Sequence, residues 1–308
     1  MDHMCPWFTY PHTRRSLKSE ETVLQLGEEA LELGIDLLSL EEVVISPRMA
    51  QAVAEVRARF GLSEERSTAS DGCTMRDPRK SNPSYAVVLP ARVLRNARSK
   101  DERRAALWRH KVIHEFAHCH DLARVHISRV GREVDEVMRS DLIRPRSACD
   151  IRLALVLQAR AEYAACRLSA GYRSSMSDVD ARDLLHTLKK LYYEPILDRS
   201  SGDELMAMGN LRLAVYWFAS LSGLEDGGNP SVRRRYEEVL EAFGFRDAFG
   251  KFREALRELY DLGYFAWMSM SVFDAAVAAH KEMEDALLDL WASAGMLADG
   301  DLIVRKGF

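Results

Sequence analysis

Residues 112–121 read VIHEFAHCHD: three histidines, a glutamate and an aspartate in ten positions. Inside this stretch, His114-Glu115-Phe116-Ala117-His118 forms an H-E-x-x-H pattern. On an α-helix, residues four apart differ by about 40° around the axis and sit one turn apart. His114 and His118 therefore face the same way and can share one ion. Neutral imidazoles are good zinc ligands, at about 2.0–2.1 Å. Glu115 is turned about 100° away from His114 and does not share that bonding direction. It is placed instead to take a proton from a water on the ion's open side, the general-base position of a metallopeptidase.

The pattern carries weight only on a helix, and its flanks supply one. Residues 101–125, DERRAALWRHKVIHEFAHCHDLARV, contain no Gly or Pro. Asp101 and Glu102 suit the positive N-terminal end of a helix. Leu107, Val112, Ile113, Phe116, Leu122 and Val125 supply apolar contacts.

The third ligand sets the subclass. A metzincin extension would need Gly at 121 and a ligand at 124. The chain has Asp121 and Arg124 there, so that class is rejected. His120 lies off the His118 direction. Asp121 and His110 share the ligand face, and we read them as supports for a ligand histidine or walls of the cleft. A glutamate from a later helix is the favoured ligand. Glu162, in QARAEYAACRLSAG (158–171), is a lone carboxylate on a helix apolar enough to pack against the first. Glu133 and Glu136, in GREVDEVMRSD (131–141), compete with it, and Asp121 stays open as a ligand.

HKVIHEFAHCHD (110–121) followed by ARAEYAACRLSA (159–170) resembles the ImmA/IrrE-type metallopeptidases of bacteria and phages. The resemblance covers roughly residues 40–172. The HExxH element is shared by many zinc peptidases, and AEYAACRLSA is the more distinctive part. The resemblance implies a zincin-like fold, with His114, His118 and Glu162 as zinc ligands and Glu115 as the base. The chain departs from the family in two ways. A long interval separates His118 from Glu162, and no helix-turn-helix precedes the catalytic part. The resemblance thus implies peptidase activity more directly than a role in repressor cleavage.

The rest of the chain gives the organisation. Residues 1–15 read as an irregular lead-in. A helix is expected from Ser19 to Gly34, a strand at 40–47 ended by Pro47, and a helix from Arg48 to Gly61. Residues 63–84 read as a polar loop with one short strand. Residues 84–94, SYAVVLPARVL, read as a strand, and Pro90, lacking an N–H, puts it at a sheet edge where an extended substrate can add. CDIRLALVLQARAEYAACRLSAG (149–171) is a strong helix. Beyond it, nearly all the periodicity is helical. The expected fold is α+β: a zincin-like domain over 1–172 with a short mixed sheet, then an all-α accessory domain over 173–308.

With a net charge of −4, the chain has no electrostatic reason to bind nucleic acid or a membrane surface. The arginines at 233–235 read as a solvated helix face. Five scattered cysteines without a CxxC pair fit a reducing compartment and no disulfide framework. No signal peptide is evident, and no apolar run nears the ~18 residues of a membrane span. The expected location is the cytoplasm. The expected protein is a zinc-dependent endopeptidase acting on a protein or peptide, its helical half selecting substrate or receiving a signal. The alternative is an inactive zincin-like scaffold that binds a partner. Cys73, in a polar loop, is a candidate latency ligand for the open metal position, against the plainer reading of an inert loop cysteine. Tyr163, Tyr172 and Arg167 lie near Glu162 in sequence and are candidates for stabilising an oxyanion.

Overall fold

The computed structural model describes residues 6–62, 72–127, 148–172, 203–228 and 244–261, with shorter pieces within 183–189, 237–242, 274–281 and 297–304. It is α+β, predominantly helical, with a small four-stranded mixed sheet. The chain divides into two compact units. One is Met1–Ile127 with Ala164–Ser175, and the other is Ser128–Tyr163 with Met176–Phe308.

The first unit opens with β1 (Trp7–Thr9), α1 (Leu17–Glu32), β2 (Leu40–Ser46) and α2 (Met49–Arg59). It continues with β3 (Cys73–Arg76), β4 (Tyr85–Pro90), α3 (Ala91–Ala97) and α4 (Glu102–Ile127). The sheet order is β1-β2-β4-β3. β1, β2 and β4 run parallel, and β3 pairs antiparallel to β4. Alternation along the strands builds two cores. Val43, Ile45, Val87 and Leu89 face α1, α3 and α4, while Val44, Ala86, Val88 and Met75 face α2.

Several expectations change here. The lead-in contributes a three-residue strand, β1, parallel to β2. α1 is capped by Ser16, whose hydroxyl accepts from the Ser19 N–H, so the helix starts at Leu17, two residues before the expected Ser19. β4 is not an edge. It pairs with β2 on one side and β3 on the other, and all six of its residues are buried. A continuous apolar run, YAVVLP, is what a strand covered on both faces requires. Pro90 costs little there because it is the last strand residue and the residue preceding α3. Among the described residues β3, not β4, is the edge strand on that side of the sheet.

α4 buries Val112, Ile113, Phe116, Ala117 and Cys119 in the core with α1, α3 and the sheet. Each fully buried Val, Ile or Phe stabilises by roughly 1.5–3 kcal/mol. That stripe fixes the rotation of the helix, because turning it by one position would bury Lys111 and His114 instead. His114 and His118 are thereby held half-buried on another face.

α5 (Ala148–Ser169) is one unbroken helix whose C-terminal end belongs to the first unit, with Ala165 in the α4 core and a 3₁₀ turn at Ala170–Tyr172. The second unit also holds α6 (Asp203–Asp226) and α7 (Arg246–Asp261). The 213–221 stretch is core there: Ala214, Val215, Phe218, Ala219 and Leu221 are buried, and Phe218 packs edge-on against Phe249. The expected all-α character is not complete, since β5 (Leu297–Asp299) and β6 (Leu302–Val304) pair antiparallel. Glu133, Glu136 and the arginines at 233–235 lie outside the described residues.

Candidate metal centre

His114 and His118 sit one turn apart on α4, with their Nε2 atoms 3.0 Å from each other. Two zinc–nitrogen bonds of 2.0–2.1 Å meeting at a tetrahedral angle would separate the nitrogens by about 3.4 Å. The rings thus converge to nearly the separation one ion imposes. Their planes are close to perpendicular, at 87°. Glu162 of α5 completes the group: one ligand atom from each of the three residues lies within 4.8 Å of the others. Glu162 is buried, 4 % exposed. Among the described residues this is the one group of three such side chains able to hold a metal ion.

The His114 ring is supported from behind. His114 Nδ1 lies 3.7 Å from the Cys166 sulfur, one turn beyond Glu162 on α5. A ring whose Nδ1 carries the proton presents an Nε2 lone pair to the centre. His110, buried one turn before His114, donates from Nδ1 to the Ser169 carbonyl at 3.0 Å. It fastens α4 to the C-terminal end of α5. Asp121 is wholly buried one turn past His118 and does not belong to the ligand group. His120 turns elsewhere: its Nδ1 accepts the Asp36 N–H at 2.7 Å, in the loop after α1. Burial, with Arg124 nearby, pushes its pKa down, which suits an acceptor nitrogen.

Glu115 is held apart from the ligands. Its carboxylate Oε2 accepts the Thr74 hydroxyl at 2.7 Å, and the same hydroxyl lies 3.0 Å from the Glu115 carbonyl. The backbone of Gly72 passes directly over the carboxylate. A Cβ at position 72 would fall 2.5 Å from Oε1 and 2.8 Å from Cδ. Gly72 and Thr74 are two residues apart, so the pleat aims both at α4. Cys73 between them faces the α2 core. That direction removes it as a latency ligand. Burial, with the Glu115 charge adding, pushes its thiol up to about 12. Cys119, deep under Thr74, is pushed up by the same two causes. Both stay protonated at neutral pH.

No family model, curated protein or solved structure matches the chain.

The oxyanion candidates also sort themselves. Tyr163 is wholly buried, and its hydroxyl donates to Asp226 at 2.5 Å, so it is committed elsewhere. Arg167 is half-buried in the last turn of α5, and the Tyr172 side chain lies outside the described residues. No helix among the described residues is long and apolar enough to cross a membrane.

Sequence reasoning missed Gly72 and Thr74. The signal available was a glycine two residues before a threonine at the entrance to a strand, GCT, in a segment otherwise read as loop. Without the strand register, nothing tied either residue to Glu115.

Proposed function

We propose that this chain is a zinc-dependent peptidase of zincin type, similar in its site to the ImmA/IrrE-type enzymes. The observation that carries the reading is the convergence of His114, His118 and Glu162 while Glu115 is clamped separately by Thr74. Two imidazoles and one carboxylate fit zinc as a donor set, and they leave a position open as catalytic sites do. A zinc ion bound there supplies Lewis-acid polarisation of a carbonyl and a lowered water pKa.

The chain's own residues do the rest. Glu115 accepts the proton of the attacking water at its carboxylate and returns it to the leaving amine nitrogen. Thr74 keeps that carboxylate oriented through its Oε2, leaving Oε1 for the proton. The edge strand β3, which carries Thr74, is where an extended peptide adds as a further strand, with its backbone groups bonding to the sheet. Substrate edge and base are then fixed by the same four residues, so docking and proton transfer share one frame. The helical second unit is assigned to substrate selection or regulation. The natural location is proposed as the cytoplasm, from the cysteine usage.

Glu115→Gln tests the reading. The metal ligands remain but the base is lost. Zinc content should stay at one per chain, while cleavage of a fluorescein-labelled unfolded polypeptide should fall by about 10²–10⁴-fold. Undiminished cleavage by the variant would remove the mechanism. Absence of zinc from the wild-type chain would remove the reading altogether.

A further inference from the structure

Glu162 and Tyr163 are neighbours on α5, so their side chains leave the helix about 100° apart. Glu162 joins the histidine group. Tyr163 takes the other direction, into a charged cluster of the second unit. Its hydroxyl donates to Asp226 Oδ2 at 2.5 Å, at the end of α6. Asp226 is itself gripped by α7: Arg253 donates to Oδ1 at 2.6 Å, and Arg257 donates to Oδ1 at 2.8 Å and Oδ2 at 3.2 Å. Arg253 also pairs with Glu225 at 2.7 Å. The Tyr163 ring packs edge-on against Tyr260 of α7, with centroids 5.8 Å apart.

Packing alone does not call for the hydroxyl. A wholly buried ring in this position would be served by Phe, and a buried hydroxyl costs free energy unless it is bonded. Asp226 already has two guanidinium partners, so its charge is answered without Tyr163. What the hydroxyl adds is a directional tie that fixes the rotation of α5 about its own axis, one residue from the ligand carboxylate.

We propose that Tyr163, held by Asp226, is a positioning residue for the third metal ligand: it sets the rotation of α5 that turns Glu162 toward His114 and His118. This rests on reading those three residues as a zinc site. The α6–α7 ion cluster then bears on metal affinity without touching the metal, and a change at Asp226 is felt at Glu162.

The test uses the full chain and metal alone. Zinc affinity is measured by competition with a chelating dye, and Co²⁺ loading reports the ligand geometry through its visible absorption. The set is wild type, Tyr163→Phe, Asp226→Asn, Glu162→Gln and the double variant Tyr163→Phe with Glu162→Gln. Tyr163→Phe should weaken zinc binding by about tenfold, the lower end of what supporting partners of ligands contribute, and shift the cobalt bands. Circular dichroism of its metal-free form should match wild type. Asp226→Asn should change affinity in the same direction. In the Glu162→Gln background the Tyr163→Phe effect should vanish, because the group being positioned is gone. A merely structural role would weaken both backgrounds equally, and that result overturns the proposal. So does wild-type affinity with wild-type cobalt bands in Tyr163→Phe. A wild-type chain that binds no zinc overturns the metal site and this proposal together, whereas the preceding two results leave the site standing.

Discussion

Thr74 on the edge strand β3 donates its hydroxyl to the Glu115 carboxylate on α4 at 2.7 Å. The base of the proposed reaction is thus oriented by the sheet, while His114 on the same helix is backed by Cys166 of α5. Metal binding and proton transfer rest on different supports and should separate under mutation.

Thr74→Val keeps the side-chain shape and removes the donor. A hydrogen bond to a charged group contributes roughly 1.5–3 kcal/mol, so turnover should fall by about 10- to 100-fold. Thr74→Ser should retain most of the activity. Zinc content, measured by elemental analysis, should be unchanged in both. Loss of zinc from Thr74→Val would show that the two supports are not separate.

Gly72→Ala acts on the same carboxylate by crowding. The new Cβ would sit 2.5 Å from Oε1, closer than such atoms approach, so Glu115 must swing away. A displacement of about 1 Å in a catalytic group costs on the order of 10²-fold in rate. The expected variant is folded, zinc-loaded and nearly inactive. Thermal unfolding, zinc analysis and a cleavage assay check the three properties. Wild-type turnover would mean that Glu115 is not placed by this contact.

The HExxH pair was legible in the sequence because helical spacing alone aligns residues four apart, and the apolar stripe around it fixed which face they take. Glu162 was legible as the lone carboxylate of residues 158–171, on a helix apolar enough to pack, although no spacing rule ties it to a histidine 44 positions earlier, and the resemblance adds that link. β4 is central rather than at an edge, because a proline marks an edge only when it interrupts the ladder. The position of Pro90 at the last residue, where α3 begins, leaves the ladder intact. α3 was hidden for the same reason: Val and Leu continue through PARVL, and nothing in the pattern separates strand from helix over so few residues. β1 was missed because three residues carry too little periodicity. Thr74 and Gly72 depend on register, which is set by partners distant in the chain.

Asp226 predicts a pH dependence. Burial alone pushes its carboxyl up, but the hydrogen bonds from Arg257, Tyr163 and Arg253 overcome that and hold it at about 2, below the ordinary aspartate range. A depressed folded-state value means the unfolded chain binds the proton more readily. The group's contribution is therefore present above about pH 4 and lost as pH falls from there toward 2. Melting temperatures of metal-free wild type should drop through that window, and Asp226→Asn should show a shallower drop. Equal slopes in the two proteins would assign the acid loss to other carboxylates.

Zinc should also stabilise the folded chain by mass action, since the unfolded chain has no assembled site. At a free concentration a thousand times the dissociation constant, the gain is about 4 kcal/mol. Chelation should therefore lower the melting temperature of the wild-type chain by several degrees, and added zinc should restore it. His118→Ala removes one of two imidazoles that lie 3.0 Å apart. In that variant chelator and zinc should have little effect, because the remaining pair of ligands binds too weakly at the same concentration. Differential scanning calorimetry with and without chelator measures both. A zinc response of wild-type size in His118→Ala would place the ion somewhere other than between the α4 histidines.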